Sequence, residues 1–413
     1  MREMKDSGIE WAGVIPNTWN INKGKYFMEL LTRPTLETDE VITCFRDGEV
    51  TLRSKRREEG FTVSLTEAGY QGIEIGDLVV HGMDGFAGSI GISDSRGKAT
   101  PVLNVLDTEQ NKRYMMYLMR TMAYCELFLS LATGIRVRTC DTNWKKLREI
   151  DYILPTIPEQ KAIADFLDEQ CAEIDSLISD IQSQIEALEE YKRSVITEAV
   201  TKGLDPDVEM RDSGVQWSGM MPTHWDCQRG KYLLRYVQKP VRDDDGVITC
   251  FRDGEVTLRS NRREEGFTMA DKEIGYQGID VGDLVVHGMD GFAGSIGISD
   301  SKGKASPVLN VLDTEQNKRY IMYYLRSMAY NDVFVALATG IRVRSCDLRW
   351  NKLAELLYPM PPVEEQQAIV EHIDSVLERT NAIIADKKQQ IETIEEYKKS
   401  LIFEYVTGKK EVA

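Results

Sequence analysis

The chain has no phosphate-cradling G-x-x-x-x-G-K-[ST] loop, no H-E-x-x-H pair and no G-x-S-x-G elbow. Those absences remove the signatures of P-loop nucleotide hydrolysis, zinc proteolysis and serine hydrolysis. An Asn-Pro-Pro-aromatic run, of the kind that holds a flipped base for amino methylation, is missing too. Histidine is scarce, with four in 413 residues. The seven cysteines, Cys44, Cys125, Cys140, Cys171, Cys227, Cys250 and Cys346, are odd in number and show no C-x-x-C spacing. They read as reduced, buried thiols rather than as a disulfide frame or a zinc site. Apolar runs span only a handful of residues, and MREMKDSGIE at the N-terminus lacks the apolar core of a signal peptide. No membrane span or export is expected, and a cytoplasmic address is the default.

What is present is a soluble globular profile, 42% hydrophobic and 29% charged, with enough length for two ordinary cores. The net charge of −16 argues at first against a nucleic-acid partner. Its location changes that argument. Residues 159–202 hold eleven acidic against four basic residues, and 364–406 hold ten against five. The remainder is close to neutral, so a basic face on it is permitted.

The sequence is written twice. VITCFRDGEVTLRS at 41–54 returns at 247–260, GDLVVHGMDGFAGSIGISDS at 76–95 returns at 282–301, and VLNVLDTEQNKRY at 102–114 returns at 308–320. LATGIRVR at 131–138 returns at 337–344. Each match keeps an offset of 206, so one domain plus one linker is duplicated in tandem.

Within each copy, VITCF, RDGE and VTLRS alternate β-formers with turn residues and predict a hairpin. The spacing of NKRYMMYLMRTMAYCELFLSLA at 111–132 predicts a buried helix. After Pro158 and Glu159, a helix start, Ile174, Ile181, Leu188 and Val195 recur at strict sevens, flanked by Leu177, Ile178, Ile185 and Tyr191. The second copy places Ile383, Ile384, Ile391, Ile394, Tyr397 and Leu401 on the equivalent stripe, with Gly408 as a cap. A long helix with one apolar stripe needs a partner, and the obvious partner is its duplicate. The expected fold class is α+β: two mixed α/β domains and two long helices forming an antiparallel coiled coil, pseudo-twofold symmetric, with parallel pairing as the alternative. The expected boundaries are 1–158 and 204–363 for the domains, and 159–203 and 364–408 for the helices.

No catalytic constellation can be assembled. His81 with Asp84, and His287 with Asp290, are too few for a base or metal centre. Gly82, Gly85, Gly88 and Gly91 fit tight turns or close backbone approach as well as a nucleotide cradle. Trp11, Trp19, Trp217 and Trp225 read as packing groups rather than base-stacking ones. The basic residues are more informative. Arg46 sits in the FRDG turn, Arg53, Lys55, Arg56 and Arg57 follow the hairpin, and Arg136 and Arg138 lie in TGIRVR. Their counterparts are Arg252, Arg259, Arg262, Arg263, Arg342 and Arg344. Arginines on loops suit phosphates and guanine edges, while ordinary surface charge explains them equally well. Two similar modules held at a fixed separation would read two half-sites around a dyad, with the helices as a ruler.

SGIEWAGVIPNTW opening a domain, LPTIPEQKAIADFLD and MPPVEEQQAIVEHID entering the helices, and EYKRSVITEAVTKGL and EYKKSLIFEYVTGK closing them, resemble the specificity subunit of a type I restriction-modification system. The resemblance covers residues 4 to about 409. It implies a non-catalytic DNA-recognition subunit with two target recognition domains, each reading half of a bipartite site. Its implied partners are double-stranded DNA, two methyltransferase subunits and two restriction subunits. No cofactor is expected on this chain; S-adenosylmethionine, ATP and Mg belong to those partners. In such subunits the two recognition domains commonly differ, whereas here they nearly coincide, so a near-palindromic target is expected. Lys55 against Asn261, and Arg96 against Lys302, could break that symmetry. The rival readings are a fused restriction-methylation enzyme, disfavoured by the missing motifs, and a coiled-coil scaffold without DNA specificity.

Overall fold

The computed structural model describes residues 2–56, 68–130, 142–262, 273–336 and 348–412. No helix among them is long and apolar enough to cross a membrane. The chain divides into two compact units, Met1–Ile181 with Lys388–Ala413, and Gln182–Lys387. Each unit thus combines one copy of the duplicated domain with part of both long helices.

In the first unit, Met28–Leu30, Leu103–Thr108, Leu78–His81 and Ile90–Ile92 form a four-stranded antiparallel sheet in that order. Successive side chains of a strand face opposite sides. Leu78 and Val80 accordingly join the core beneath helix Lys112–Tyr124. Val79 joins a second core with Ile42, Cys44, Val50, Ile73 and Ala99. Burial on both faces is why LVV is apolar at consecutive positions. The second unit repeats this with Arg235–Tyr236, Leu309–Asp313, Leu284–His287 and Ile296–Ile298.

The predicted hairpin forms: Ile42–Cys44 pairs antiparallel with Val50–Leu52, and Ile248–Cys250 with Val256–Leu258. The predicted buried helix is shorter than its apolar pattern. Asn111 caps it by accepting from the Arg113 and Tyr114 amides. It stops at Tyr124, because Glu126 adopts a left-handed φ of 58°, and resumes only as Leu127–Ser130.

The long helices run Ile157–Lys202 and Val363–Val406. Pro158 is tolerated in the first turn, where amides have no intrahelical acceptor. Gly408, at φ 70°, closes the second helix: its amide donates to the Tyr405 carbonyl at 3.1 Å, and the Lys409 amide to Glu404 at 2.8 Å. That is a Schellman cap, satisfying carbonyls the helix cannot.

In the first unit the Phe166 and Tyr405 rings meet at 4.4 Å, and Lys398 reaches Asp175 at 2.6 Å. One number rises as the other falls, so the helical segments pack antiparallel. The second unit agrees, since Lys387 reaches Gln184 while Gly203 abuts Glu365. Ile181, Ile185, Ile384 and Leu401 are buried as the stripe predicts. Leu177, Tyr191, Ile383 and Tyr397 depart from it and stay exposed. A two-helix seam covers only a narrow strip, and flanking positions drift off it because 3.6 residues per turn do not divide seven.

Candidate nucleic-acid interface

Each domain joins its helices through polar bonds that fix its orientation within its unit. Trp19 is 1% exposed, and its indole N–H donates to Glu159 at 3.1 Å; Trp225 repeats this with Glu365 at 3.0 Å. Tyr117 donates to Asp168 at 2.8 Å, and Tyr323 to Asp374 at 2.6 Å. These tryptophans are packing groups, and part of the acidic helix charge serves as their anchorage.

The described basic residues gather around the hairpin. Arg53 Nε donates to the Thr43 hydroxyl at 2.9 Å, and Arg259 to Thr249 at the same distance. Arg56 pairs with Asp47 and Glu49 and lies 4.2 Å over the Phe45 ring. Arg262 repeats this with Asp253, Glu255 and Phe251. Arg46 reaches Asp84 at 2.9 Å, and Arg252 reaches Asp290 at 3.2 Å, with both arginine side chains 65% exposed. The structure corrects one expectation. Arg53, Lys55 and Arg56 sit on a helical turn, Arg53–Arg56, and Arg259 on the short helix Arg259–Asn261, rather than on open loops. Leu52 and Leu258 end their strands there, and the following turn swings the arginines back over the hairpin. Arg57, Arg136, Arg138, Arg263, Arg342 and Arg344 lie outside the described residues.

Burial alone would raise the Asp47 carboxyl, but the Arg56 hydrogen bond and the Glu49 amide hold it below its ordinary value. Asp253 is lowered in the same way by Arg262. Burial pushes the Cys44 and Cys250 thiols up to about 12, so they are inert core groups.

The HGMDG loop faces the hairpin turn. His81 Nδ1 accepts from the Met83 and Asp84 amides at 3.2 and 3.0 Å, and His287 from Met289 and Asp290 at 3.2 and 2.9 Å. The ring proton therefore resides on Nε2. That atom is 4.0 Å from Asp84 Oδ2 in the first copy and 3.9 Å from Asp290 Oδ2 in the second. Burial lowers both histidines, with the aspartate opposing and Arg46 or Arg252 reinforcing the shift. The neighbouring Met83 and Met289 are 53% and 54% exposed. On the neighbouring strand Ile90–Ile92 a glycine serves close approach: a Cβ on Gly91 would stand 1.9 Å from the Gly48 carbonyl oxygen. Asn104 donates to the Val80 and Thr142 carbonyls, and the Thr142 amide to Gly82, tying the chain after 131–141 to this loop.

In the second unit these parts enclose an open cleft of about 610 Å³ lined by Phe251, Arg252, Asp253, Arg262, His287, Asp290 and their neighbours. It offers fixed donors, carboxylate acceptors and an aromatic edge, a set suited to non-covalent recognition. Among the described residues no group of three or more His, Cys, Asp or Glu is placed to hold a metal ion.

No family model matches the chain. Curated relatives do. It is 26% identical over 326 residues to the type I restriction enzyme MjaVIII specificity subunit of Methanocaldococcus jannaschii, covering 73% of this chain and 72% of that one. It is 24% identical over 322 residues to the MjaX specificity subunit of the same organism, covering 74% and 71%. A solved chain from work on complex assembly and conformational transition of the type I R-M system superposes with a TM-score of 0.68 at 11% identity. That match covers 96% of this chain and 99% of the other, and shows a shared fold. Over about three quarters of its length the chain is thus similar to type I restriction enzyme specificity subunits, and it shares the fold of a chain from such a system.

In this chain the two copies differ at a few polar positions. Lys55 reaches Asp94 at 3.2 Å and Ser95 at 2.7 Å, whereas Asn261 donates to Thr257 at 2.9 Å. Arg96 is held by Asp39 and Glu74, so its guanidinium is spoken for by its own domain. Arg33 pairs with Asp77, and its counterpart Lys239 with Asp283 at 2.6 Å. Sequence reasoning set His81 and Asp84 aside as too few for catalysis, and it missed Thr43, Phe45 and Ser89 altogether. The signal was available in the doubled FRDG and HGMDG turns. What the sequence could not show is that the two turns face each other.

Proposed function

We propose that this chain supplies the DNA address for a type I restriction-modification enzyme, each duplicated domain reading one half of a bipartite site. The observation that carries this reading is the repetition, contact for contact, of Arg46–Asp84, Arg53–Thr43 and Arg56–Asp47 in Arg252–Asp290, Arg259–Thr249 and Arg262–Asp253. Like surfaces recognise like sequences, so the target is near-palindromic: half-site, fixed spacer, inverted half-site. The described arginines, together with Arg57, Arg136, Arg138, Arg263, Arg342 and Arg344, supply the DNA contacts. Its proposed partners are two methyltransferase subunits and two restriction subunits, with S-adenosylmethionine, ATP and Mg acting on those chains. The specificity subunit itself performs no chemistry.

The test is to purify the chain with whatever co-elutes and to sequence the DNA it retains from a randomised pool. An enriched two-part motif with inverted, matching halves is the expected result. Unrelated halves would refute the palindrome, and no motif in the presence of its methyltransferase would refute DNA recognition.

A further inference from the structure

The cleft between the FRDG turn and the HGMDG loop contains a donor and an acceptor side by side. His287 Nδ1 is occupied by two backbone amides, so Nε2–H is a donor of fixed tautomer and direction. Asp290 receives Arg252 at Oδ1, which orients the carboxylate, while Oδ2 lies 3.9 Å from Nε2. That separation is too long for a hydrogen bond, so the two atoms do not satisfy each other, and among the described residues both keep capacity for a further partner. Ser295 lines the same cleft, is 1% exposed, and its hydroxyl has no hydrogen-bond partner among the described residues. Buried polar groups are rarely left unpaired, so this hydroxyl calls for a partner beyond the described residues, an ordered water included. The first copy repeats the arrangement with His81, Asp84, Arg46 and Ser89, which is fully buried and likewise without a partner among the described residues.

We infer that His81 with Asp84, and His287 with Asp290, form an adenine-reading subsite in each recognition domain. The inference rests on the DNA-reading function proposed above. Among the major-groove edges only adenine presents an acceptor, N7, beside a donor, the N6 amino group. Histidine Nε2–H donates to N7, and the aspartate accepts from N6. Guanine sets O6 against the carboxylate, and thymine sets O4 there, so both are repelled. Cytosine satisfies the aspartate alone and leaves the histidine without an acceptor. The exposed Arg46 and Arg252 hold the carboxylate and supply positive charge near the backbone.

The test uses the full chain purified with its partner subunits. Because a near-palindromic site can be bound in either orientation, both copies are changed together. The motif is first read from a randomised pool with the unaltered protein. Asp84→Ala with Asp290→Ala is expected to relax adenine preference at one position per half-site, weakening cognate binding between about 5-fold and about 150-fold, the equivalent of about 1–3 kcal/mol. Asp84→Asn with Asp290→Asn keeps an acceptor and is expected to retain adenine. Replacing that adenine by 7-deazaadenine removes N7, and is expected to weaken the unaltered protein but not a His81→Ala, His287→Ala variant. This arm needs no altered protein for its first half. A motif without adenine at any position that responds to these changes, or equal weakening at every position, overturns the subsite and leaves DNA recognition standing. Absence of any enriched motif with the unaltered complex overturns both.

Discussion

The indole N–H of Trp225, a fully buried side chain, donates to the Glu365 carboxylate at 3.0 Å, joining the opening of the second domain to the first turn of the second long helix. Trp19 and Glu159 do the same in the first unit at 3.1 Å. The bond sits where helix amides have no intrahelical acceptor and an acidic side chain is favoured.

Trp225→Ala is expected to lower stability by about 3–5 kcal/mol through cavity formation. Glu365→Leu leaves the indole donor unpaired and is expected to cost about 1–3 kcal/mol. Urea midpoints with unchanged slopes would establish both as losses of stability rather than changes of the unfolded state.

Gly91→Ala with Gly297→Ala drives a methyl into the Gly48 and Gly254 carbonyl oxygens, which would lie only 1.9 and 2.0 Å from the added Cβ atoms. The hairpin turn must then retreat from strand Ile90–Ile92, or Ile296–Ile298 in the second copy. A loss of at least about 1–3 kcal/mol per site is expected, together with loss of sequence-specific DNA retention, read by thermal unfolding and pool enrichment.

Stability should depend on pH through His81 and His287, whose folded values are depressed by burial. In the unfolded chain histidine titrates near about 6.5, so just below that pH the unfolded state binds more protons than the folded one. Their contribution is therefore fully present above about pH 6.5 and is lost as pH falls through the folded values. Asp84 and Asp290 oppose the shift, and Arg46 and Arg252 reinforce it. A His81→Gln, His287→Gln variant should flatten the stability profile between about pH 7 and about pH 5; an unchanged slope would assign it to other groups.

Replacing Arg136 and Arg138, with Arg342 and Arg344, by alanine is expected to weaken cognate DNA binding. If the loss falls on one base pair, at about 1–3 kcal/mol, those residues read sequence. If all DNA weakens alike and the salt dependence drops by about one unit per residue, they hold phosphate.

The legible part of the fold was its periodicity. Ile181 and Leu401 obey the heptad and are buried, and VITCF-RDGE-VTLRS closes as a hairpin because its turn chemistry is local. Tyr191 and Tyr397 fit the same apolar pattern yet remain exposed, since a pattern states that a residue is apolar and not which strip its partner covers. The break at Glu126 was hidden for a similar reason: nothing in MAYCELFL forbids a continuous helix, and tertiary packing imposed the left-handed residue.

By itself the sequence determined the duplication, the two long helices with their capping glycine and the lack of catalytic motifs, because each is a matter of spacing or composition along the chain; of the thiols expected to be buried, Cys44, Cys171 and Cys250 are, while Cys125 and Cys227 are half-buried. Tertiary structure alone decided that each compact unit takes segments of both long helices, that Arg56 and Arg262 are engaged by Asp47 and Asp253, and that His287 and Asp290 line a cleft with Arg252 and Arg262. The physical reason is that these relations join residues dozens to hundreds of positions apart or depend on where a turn points. They exist only once two cores have formed on opposite faces of one sheet.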